Sequence, residues 1–181
     1  MAEIGIEIER QYQEEYEDNT VVFSANSGVF QGSIAICLDV GNLMRIGKAL
    51  STFPKKVPDE YSCVMGSNQP DDKSPYFVFR AYTRDNLGHT ALQVTMNNKK
   101  DSPEDGQCCF SIIAERSGIN RLGKLILKFS DWKYRTFKWS PYPDKDSLVE
   151  WEYLKLPKSP EPKEVKEGRT FRDPDNWWKG I

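Results

Sequence analysis

The segment GSIAICLDVGNLMRIGKAL, residues 32–50, decides the fold because it leads from a predicted strand directly into a predicted helix. In its first part Ile34, Ile36 and Leu38 alternate with small residues, which places the three on one face of a strand. Asp39 follows, and its carboxylate can accept the free backbone N–H groups of a first helical turn. The second part begins an apolar stripe with helical spacing, made of Leu43, Ile46, Gly47, Leu50 and Phe53.

A second segment, FSIIAERSGINRLGKLILKF at residues 110–129, repeats this order of features. Ser117 is the predicted cap of its helix. The second stripe follows the first at a constant offset of 76 positions and consists of Ile119, Leu122, Gly123, Ile126 and Phe129. The similarity indicates either an internal strand–helix duplication or the general resemblance of amphipathic helices to one another.

Each stripe has a glycine at its centre, Gly47 in the first and Gly123 in the second. A glycine inside a helix costs about 1 kcal/mol relative to alanine. Two glycines at matching positions therefore predict that each helix crosses a neighbour, or the sheet, at close range.

Strands are predicted wherever alternating or β-branched residues are bounded by turn residues. They lie around Ile4, Ile6 and Ile8, at 20–24, 29–38, 61–65, 76–83, 89–96 and 108–114, and in an aromatic stretch after the second helix. Two helices and many short strands predict an α+β fold, a largely antiparallel β-sheet with two amphipathic helices packed on one face. Residues 1–154 are predicted to form this single domain. The segment 155–181, rich in Pro, Lys and Glu, is predicted to be a linker and C-terminal tail.

Composition excludes several classes of protein. The net charge of −2 argues against nonspecific nucleic-acid binding. The N-terminus lacks a basic region followed by an apolar run, and no stretch approaches 18 apolar residues, so we expect a cytoplasmic protein with no membrane contact. Four cysteines without a C-x-x-C pair, together with a single histidine, predict no metal site and no cofactor. Cys37 and Cys63 are expected in the core, and Cys108 and Cys109 on opposite faces of one strand.

Catalysis has one conventional candidate, His89, which Asp85 and Arg84 could orient. No nucleophile turn accompanies this histidine, so we predict that the protein is not an enzyme. The stretch DWKYRTFKWSPY, residues 131–142, interleaves cations with aromatic side chains. Such a pattern can bind single-stranded nucleic acid, but it is also typical of a strand whose aromatic residues close a core. We favour the second interpretation and keep a nucleic-acid-binding module, or a small enzyme using this surface or His89, as the alternative.

Three segments resemble a group of small, mostly uncharacterised bacterial domains, the WapI-immunity-like proteins that neutralise polymorphic toxins. They are residues 32–50, FVFRAYTRDNLGHTALQVTM at 77–96, and residues 110–129. The resemblance implies a non-catalytic protein that binds another protein, such as a toxin domain, and it transfers no catalytic residue.

Three groups of residues are candidates for partner binding. Residues 1–30 carry six net negative charges, which suits a basic partner through electrostatic steering. Aromatic and arginine side chains are frequent anchors of interfaces. The candidate residues are Glu14, Glu15, Glu17 and Asp18 in the acidic stretch, Trp132, Tyr134 and Arg135 in the aromatic stretch, and Trp177 and Trp178 in the tail.

Overall fold

A computed structural model describes residues 3–11 and 20–152. The described residues up to Trp151 belong to one compact unit. The predicted linker and tail, 155–181, lies outside the described residues. The two helices of the described part are α1 (Val40–Ser51) and α2 (Arg116–Phe129). The strands are β1 (Gly5–Arg10), β2 (Thr20–Asn26), β3 (Gln31–Cys37), β4 (Glu60–Met65), β5 (Tyr76–Thr83), β6 (Thr90–Asn97), β7 (Gln107–Ala114), β8 (Tyr134–Trp139) and β9 (Ser147–Glu150).

The α+β class and the antiparallel pairing are confirmed, but the strands divide between two sheets. The five-stranded sheet has the order β3-β2-β1-β8-β9, and the four-stranded sheet has the order β4-β5-β6-β7. Their inner faces meet, since the ring centroids of Phe23 and Phe77 lie 4.6 Å apart. The two helices pack against the same core, where the indole N–H of Trp139 in β8 donates to the Gly118 carbonyl at 3.0 Å.

The domain has two halves, the first from β1 to β4 with α1 and the second from β5 to β9 with α2, and each half supplies a strand to the sheet of the other. The strand that follows α1, β4, pairs with β5 of the second half, and the strand that follows α2, β8, pairs with β1 of the first half. The register repeats as well, because Asn26 pairs with Gln31 as Asn97 pairs with Gln107. The chain therefore contains two interlocked copies of one order of elements, as the internal repeat predicts.

The helices cross where the two stripe glycines meet. A Cβ atom added at Gly123 would lie 2.3 Å from the Ser51 nitrogen and 2.8 Å from the Gly47 carbonyl oxygen. A Cβ atom added at Gly47 would lie 2.7 Å from a side-chain carbon of Leu127. These separations leave no room for a methyl group, so the close crossing predicted from the glycines is confirmed. Each helix crosses the other helix at this point.

All the apolar side chains of the predicted helix stripes are buried, among them Leu43, Leu50, Leu122 and Phe129. The Asp39 cap is confirmed, because its carboxylate accepts from the Asn42 N–H at 2.7 Å.

The predicted cap of the second helix is wrong. The structure places Glu115 at the N-cap, in extended conformation, and the Ile119 N–H donates to its carbonyl at 3.0 Å. The helix thus begins before Ser117, at Arg116.

The cysteine predictions are confirmed except at Cys37. Cys63 is buried, and burial raises the pKa of its thiol. Cys108 packs against the core while its neighbour Cys109 is exposed, as alternation along a strand requires. Cys37 is exposed rather than in the core, because Ile34 and Ile36 take the inward positions of β3. Neither described helix is long and apolar enough to cross a membrane.

Candidate functional site

The cations of the basic aromatic stretch lie beside carboxylates. Lys133 Nζ is 3.8 Å from Glu150, Arg135 Nη2 is 2.7 Å from Glu9, and Lys138 Nζ is 3.2 Å from Glu7. These pairs tie β8 to its neighbours β1 and β9 across the outer face of the five-stranded sheet. The charge that a phosphate backbone would need is therefore largely compensated within the sheet, which weakens the nucleic-acid interpretation.

Two of the predicted binding residues, Trp132 and Tyr134, come together around Arg10. The Arg10 guanidinium lies over the Trp132 ring at 4.2 Å and over the Phe129 ring at 4.4 Å. Its Nε donates to the Tyr134 carbonyl at 3.1 Å. Burial lowers the pKa of Arg10 to about 10, against the opposing charge of Asp131. Trp132 and Tyr134 thus hold a buried cation inside the domain.

Arg135 lies on the outer side of the same region, between Glu9 and Trp151. Its guanidinium is 5.6 Å from the Trp151 ring, and the Trp151 indole N–H donates to the Trp132 carbonyl at 3.1 Å. The acidic candidates Glu14, Glu15, Glu17 and Asp18 and the tail candidates Trp177 and Trp178 lie outside the described residues.

His89 and Asp85 form the acid–base pair that the sequence suggests. His89 Nδ1 lies 2.6 Å from an Asp85 carboxylate oxygen in the turn between β5 and β6. The backbone N–H groups of Leu87 and His89 donate to the other oxygen at 2.9 and 3.2 Å. The hydrogen bond with His89 contributes most to lowering the pKa of Asp85. The contacts of this carboxylate close the turn, and the pair stands exposed.

The outer face of the four-stranded sheet presents apolar side chains that the sequence analysis did not single out. Val64 of β4 is 56% exposed and Ile113 of β7 is 64% exposed. We call this surface the sheet face. Its side chains form rows that run across β4, β5, β6 and β7, as the strand register dictates. One row joins Glu60, Tyr82, Ala91 and Ile113, the next joins Ser62, Arg80, Gln93 and Ser111, and the third joins Val64, Val78, Thr95 and Cys109.

A polar network holds the centre of the sheet face. Arg80 donates to Glu60 at 2.7 Å and to Gln93 at 3.3 Å, and its guanidinium lies 4.5 Å from the Tyr82 ring centroid. The Tyr82 hydroxyl lies 3.3 Å from the Ser111 hydroxyl. The hydrogen bond from Arg80 lowers the pKa of Glu60. The large side chains at the centre are thus fixed in one arrangement.

A groove of about 520 Å³ lies at the other sheet, where the ends of β1, β2 and β3 meet the segment after β8. Several of its polar side chains bind one another. Glu7 pairs with Lys138, Glu3 lies 3.3 Å from Lys145, and the hydroxyl of Ser24 lies 3.0 Å from that of Ser33. These contacts leave fewer free polar groups in the groove for a ligand.

No group of three or more His, Cys, Asp or Glu side chains is placed to hold a metal ion within 3–11 and 20–152. Comparisons of the chain with protein-family models, with curated proteins and with solved structures found no match. The resemblance to immunity-type domains therefore rests on the three sequence segments alone. Among the surfaces of the described residues, the sheet face combines exposed apolar groups with fixed polar anchors.

Proposed function

We propose that this chain is a non-catalytic protein-binding domain that docks its partner on the sheet face. The observation that carries the proposal is the exposure of Val64 and Ile113, at 56% and 64%, on the outer face of the four-stranded sheet. Exposed apolar side chains on a sheet surface mark a candidate site of contact with another protein.

The centre of the sheet face supports the proposal. Arg80 and Tyr82 belong to the residue types most frequent among interface hot spots. Their hydrogen bonds and ring contact hold both side chains before any partner arrives. A partner would therefore lose little side-chain entropy when it packs against them.

The edge of the sheet adds a second argument. Strand β7 forms one edge, and its eight residues, QCCFSIIA, contain neither a charged residue nor a proline. Edge strands usually carry such residues because they discourage pairing with other chains. The lack of charged residues and proline in β7 is therefore expected if a binding partner covers this edge strand.

The narrower form of the proposal is an immunity protein that neutralises a bacterial toxin in the cytoplasm. The three resembling segments support it, and two of them contribute strands β5, β6 and β7 of the sheet face. Buried thiols such as Cys63 suit a reducing compartment. The acidic stretch from Glu14 to Asp18 would steer a basic toxin toward the domain.

The test compares charge introduced on the sheet face with the same charge on the other sheet. Val64→Lys and Ile113→Lys place a cation among apolar contacts, whereas Val149→Lys introduces it on β9, where Val149 is 47% exposed. A partner is first isolated with the wild-type protein and purified, and calorimetry then gives its Kd for each variant. We expect at least tenfold weaker binding for the two face variants and a change within twofold for Val149→Lys.

Equal binding by all variants would remove the sheet face from the interface, and an equal loss in all three would show that any added charge disrupts binding. For the immunity form, co-expression with the isolated toxin domain should restore growth of the host. The face variants should lose this protection in proportion to their Kd.

A further inference from the structure

The two helices carry cations and no acidic residue. Six Lys or Arg residues occur in α1 and α2, and neither helix contains Asp or Glu. The whole chain, in contrast, has a net charge of −2. Positive charge is therefore concentrated on the helix pair. The six cations are Arg45, Lys48, Arg116, Arg121, Lys124 and Lys128.

The helices run antiparallel, and their shared outer side carries the lysines. Gly47 and Gly123 meet at the crossing, while the Asn120 side chain of α2 donates to the carbonyls of Leu50 and Phe53 at 2.9 and 2.6 Å. Each glycine is followed by an exposed lysine, Lys48 or Lys124. Since a helix turns by about 100° per residue, both lysines point away from the buried stripes.

Most of these cations have no carboxylate partner within the described residues. Eight ion pairs of Lys or Arg with a carboxylate occur there, and only Arg121 of the helices takes part, with Asp146. Arg45 donates to the Asn42 side chain instead. The exposed cations that make neither an ion pair nor a side-chain hydrogen bond there form the basic helix surface, defined by Lys48, Arg116, Lys124 and Lys128. Uncompensated charge of one sign on one face raises the local concentration of anionic groups.

The basic helix surface is bounded by acidic residues. Asp39 caps α1 and Glu115 precedes α2, and the antiparallel arrangement puts these two carboxylates at opposite ends. Helices of 12 and 14 residues extend over about 18–21 Å. A longer polyanion such as duplex DNA would run past both ends and meet the carboxylates. A short acidic stretch of polypeptide would stay within the basic part.

We infer that the basic helix surface binds a short acidic segment of a protein partner. This inference goes beyond the sheet face and does not depend on it, because the helices and the sheet face are separate surfaces with separate variants. Carboxylates of the segment would pair with Lys48 and Lys124 at the centre and with Arg116 and Lys128 toward the ends. Pairs of this kind are exposed, so the binding weakens as salt rises.

The probe is a fluorescein-labelled peptide of five glutamates, about 17 Å long when extended, whose binding to the full chain is followed by fluorescence anisotropy in low and high salt. The variant Lys48→Glu/Lys124→Glu reverses two charges at the helix crossing. Its matched control, Lys73→Glu/Lys100→Glu, reverses two exposed loop lysines that pair with Asp101 and Glu104. We expect at least tenfold weaker binding for the helix variant, a change within twofold for the control, and little binding by any form in high salt.

The double variant Lys48→Gln/Lys124→Gln should also weaken binding, by a smaller factor, because it removes the charges without adding repulsion. Thermal melts of all variants confirm that the fold is retained. An equal loss in the helix and control variants would overturn the inference, as would no binding in low salt. Tighter binding of a twelve-nucleotide DNA than of the peptide, lost with the same helix variants, would assign the surface to phosphates and equally overturn it.

Discussion

Trp132, which lies between α2 and β8, and Trp139, the last residue of β8, differ in one hydrogen bond of the indole N–H. The Trp139 indole N–H donates to the Gly118 carbonyl, whereas the buried Trp132 indole N–H has no acceptor among the described residues. Trp139→Phe removes this buried hydrogen bond, which costs about 0.5–1.5 kcal/mol in addition to lost packing. Trp132→Phe removes an N–H that makes no bond there, and the phenyl ring still faces the Arg10 guanidinium.

We therefore expect Trp132→Phe to lower the free energy of unfolding by less than about 1 kcal/mol and Trp139→Phe by clearly more. Urea unfolding followed by circular dichroism measures both. A larger cost at Trp132 than at Trp139 would show that the Trp132 indole makes a bond essential to the native state.

The adjacent thiols of Cys108 and Cys109 should differ in reactivity. Burial raises the pKa of Cys108, while Cys109 is exposed on the sheet face. The thiolate is the reacting species, so at about pH 8 a maleimide should modify Cys109 at least tenfold faster than Cys108. Mass spectrometry of timed digests of Cys108→Ser and Cys109→Ser gives each rate separately. Equal rates in the folded protein would mean that β7 does not hold the two side chains on opposite faces.

At the scale of elements, the helix crossing predicts two unequal alanine substitutions in one helix. A Cβ atom at Gly123 would lie 2.3 Å from the Ser51 nitrogen, whereas one at Gly118 would lie no closer than 3.5 Å to any neighbour. Both substitutions raise helix propensity by about 1 kcal/mol. Gly118→Ala should therefore be neutral or stabilising. Gly123→Ala must push the helices apart, and we expect it to cost about 1–3 kcal/mol or more.

Thermal melts of the two alanine variants beside the wild type make the comparison. A Gly123→Ala protein as stable as Gly118→Ala would mean that the helices do not touch at this position. Gly47→Ala provides a second check, because its Cβ atom would meet Leu127 at 2.7 Å and the Gly123 carbonyl oxygen at 3.0 Å.

Local periodicity predicted the elements well, since it depends only on residues close in sequence. Both helix stripes, the crossing glycines and most strands follow from it. Strand β9 was missed because its four residues, SLVE, are too few to show an alternation. The division into two sheets was missed for a different reason. The choice of β4 to pair with β5, and of β8 to pair with β1, depends on contacts between distant segments.

The candidate site was harder to predict than the fold. Alternation along β4 and β7 already places Val64 and Ile113 on the side opposite Cys63 and Ile112. Sequence alone cannot say whether a helix or a second sheet covers that side. The basic helix surface had a visible signal, the lack of any Asp or Glu in two amphipathic helices, but its meaning depends on which carboxylates lie nearby in space. The Glu9–Arg135 pair joins residues 126 positions apart.

At the scale of the whole molecule, the exchange of strands makes the two halves depend on each other. The first half ends with β4, which has its hydrogen-bonded partner β5 in the second half, and α1 buries its stripe against α2. The second half in turn supplies β8 to β1. Each half contains three consecutive antiparallel strands, β1 to β3 or β5 to β7. Neither half, however, has a complete sheet or a covered helix on its own.

This interdependence predicts that the protein can be assembled from fragments. A break between Asn68 and Gln69, in the exposed link between β4 and β5, yields fragments 1–68 and 69–181. Each fragment alone should lack a cooperative thermal transition, because its apolar helix stripe faces water. Mixed in equal amounts they should form a 1:1 complex with the near-ultraviolet circular dichroism of the intact chain, and light scattering should give the combined mass.

Leu50→Ala in the first fragment is the variant that tests whether the complex uses the native helix contact. Leu50 is fully buried, and its truncation should cost about 2–5 kcal/mol, which raises the dissociation constant of the fragments by about thirtyfold or more. The matched control is Lys48→Ala, an exposed residue two positions earlier, which should leave assembly unchanged. Cooperative folding of either fragment by itself, or assembly that tolerates Leu50→Ala as well as Lys48→Ala, would contradict the interlocked arrangement, because in that arrangement the core of each half is completed only by the other.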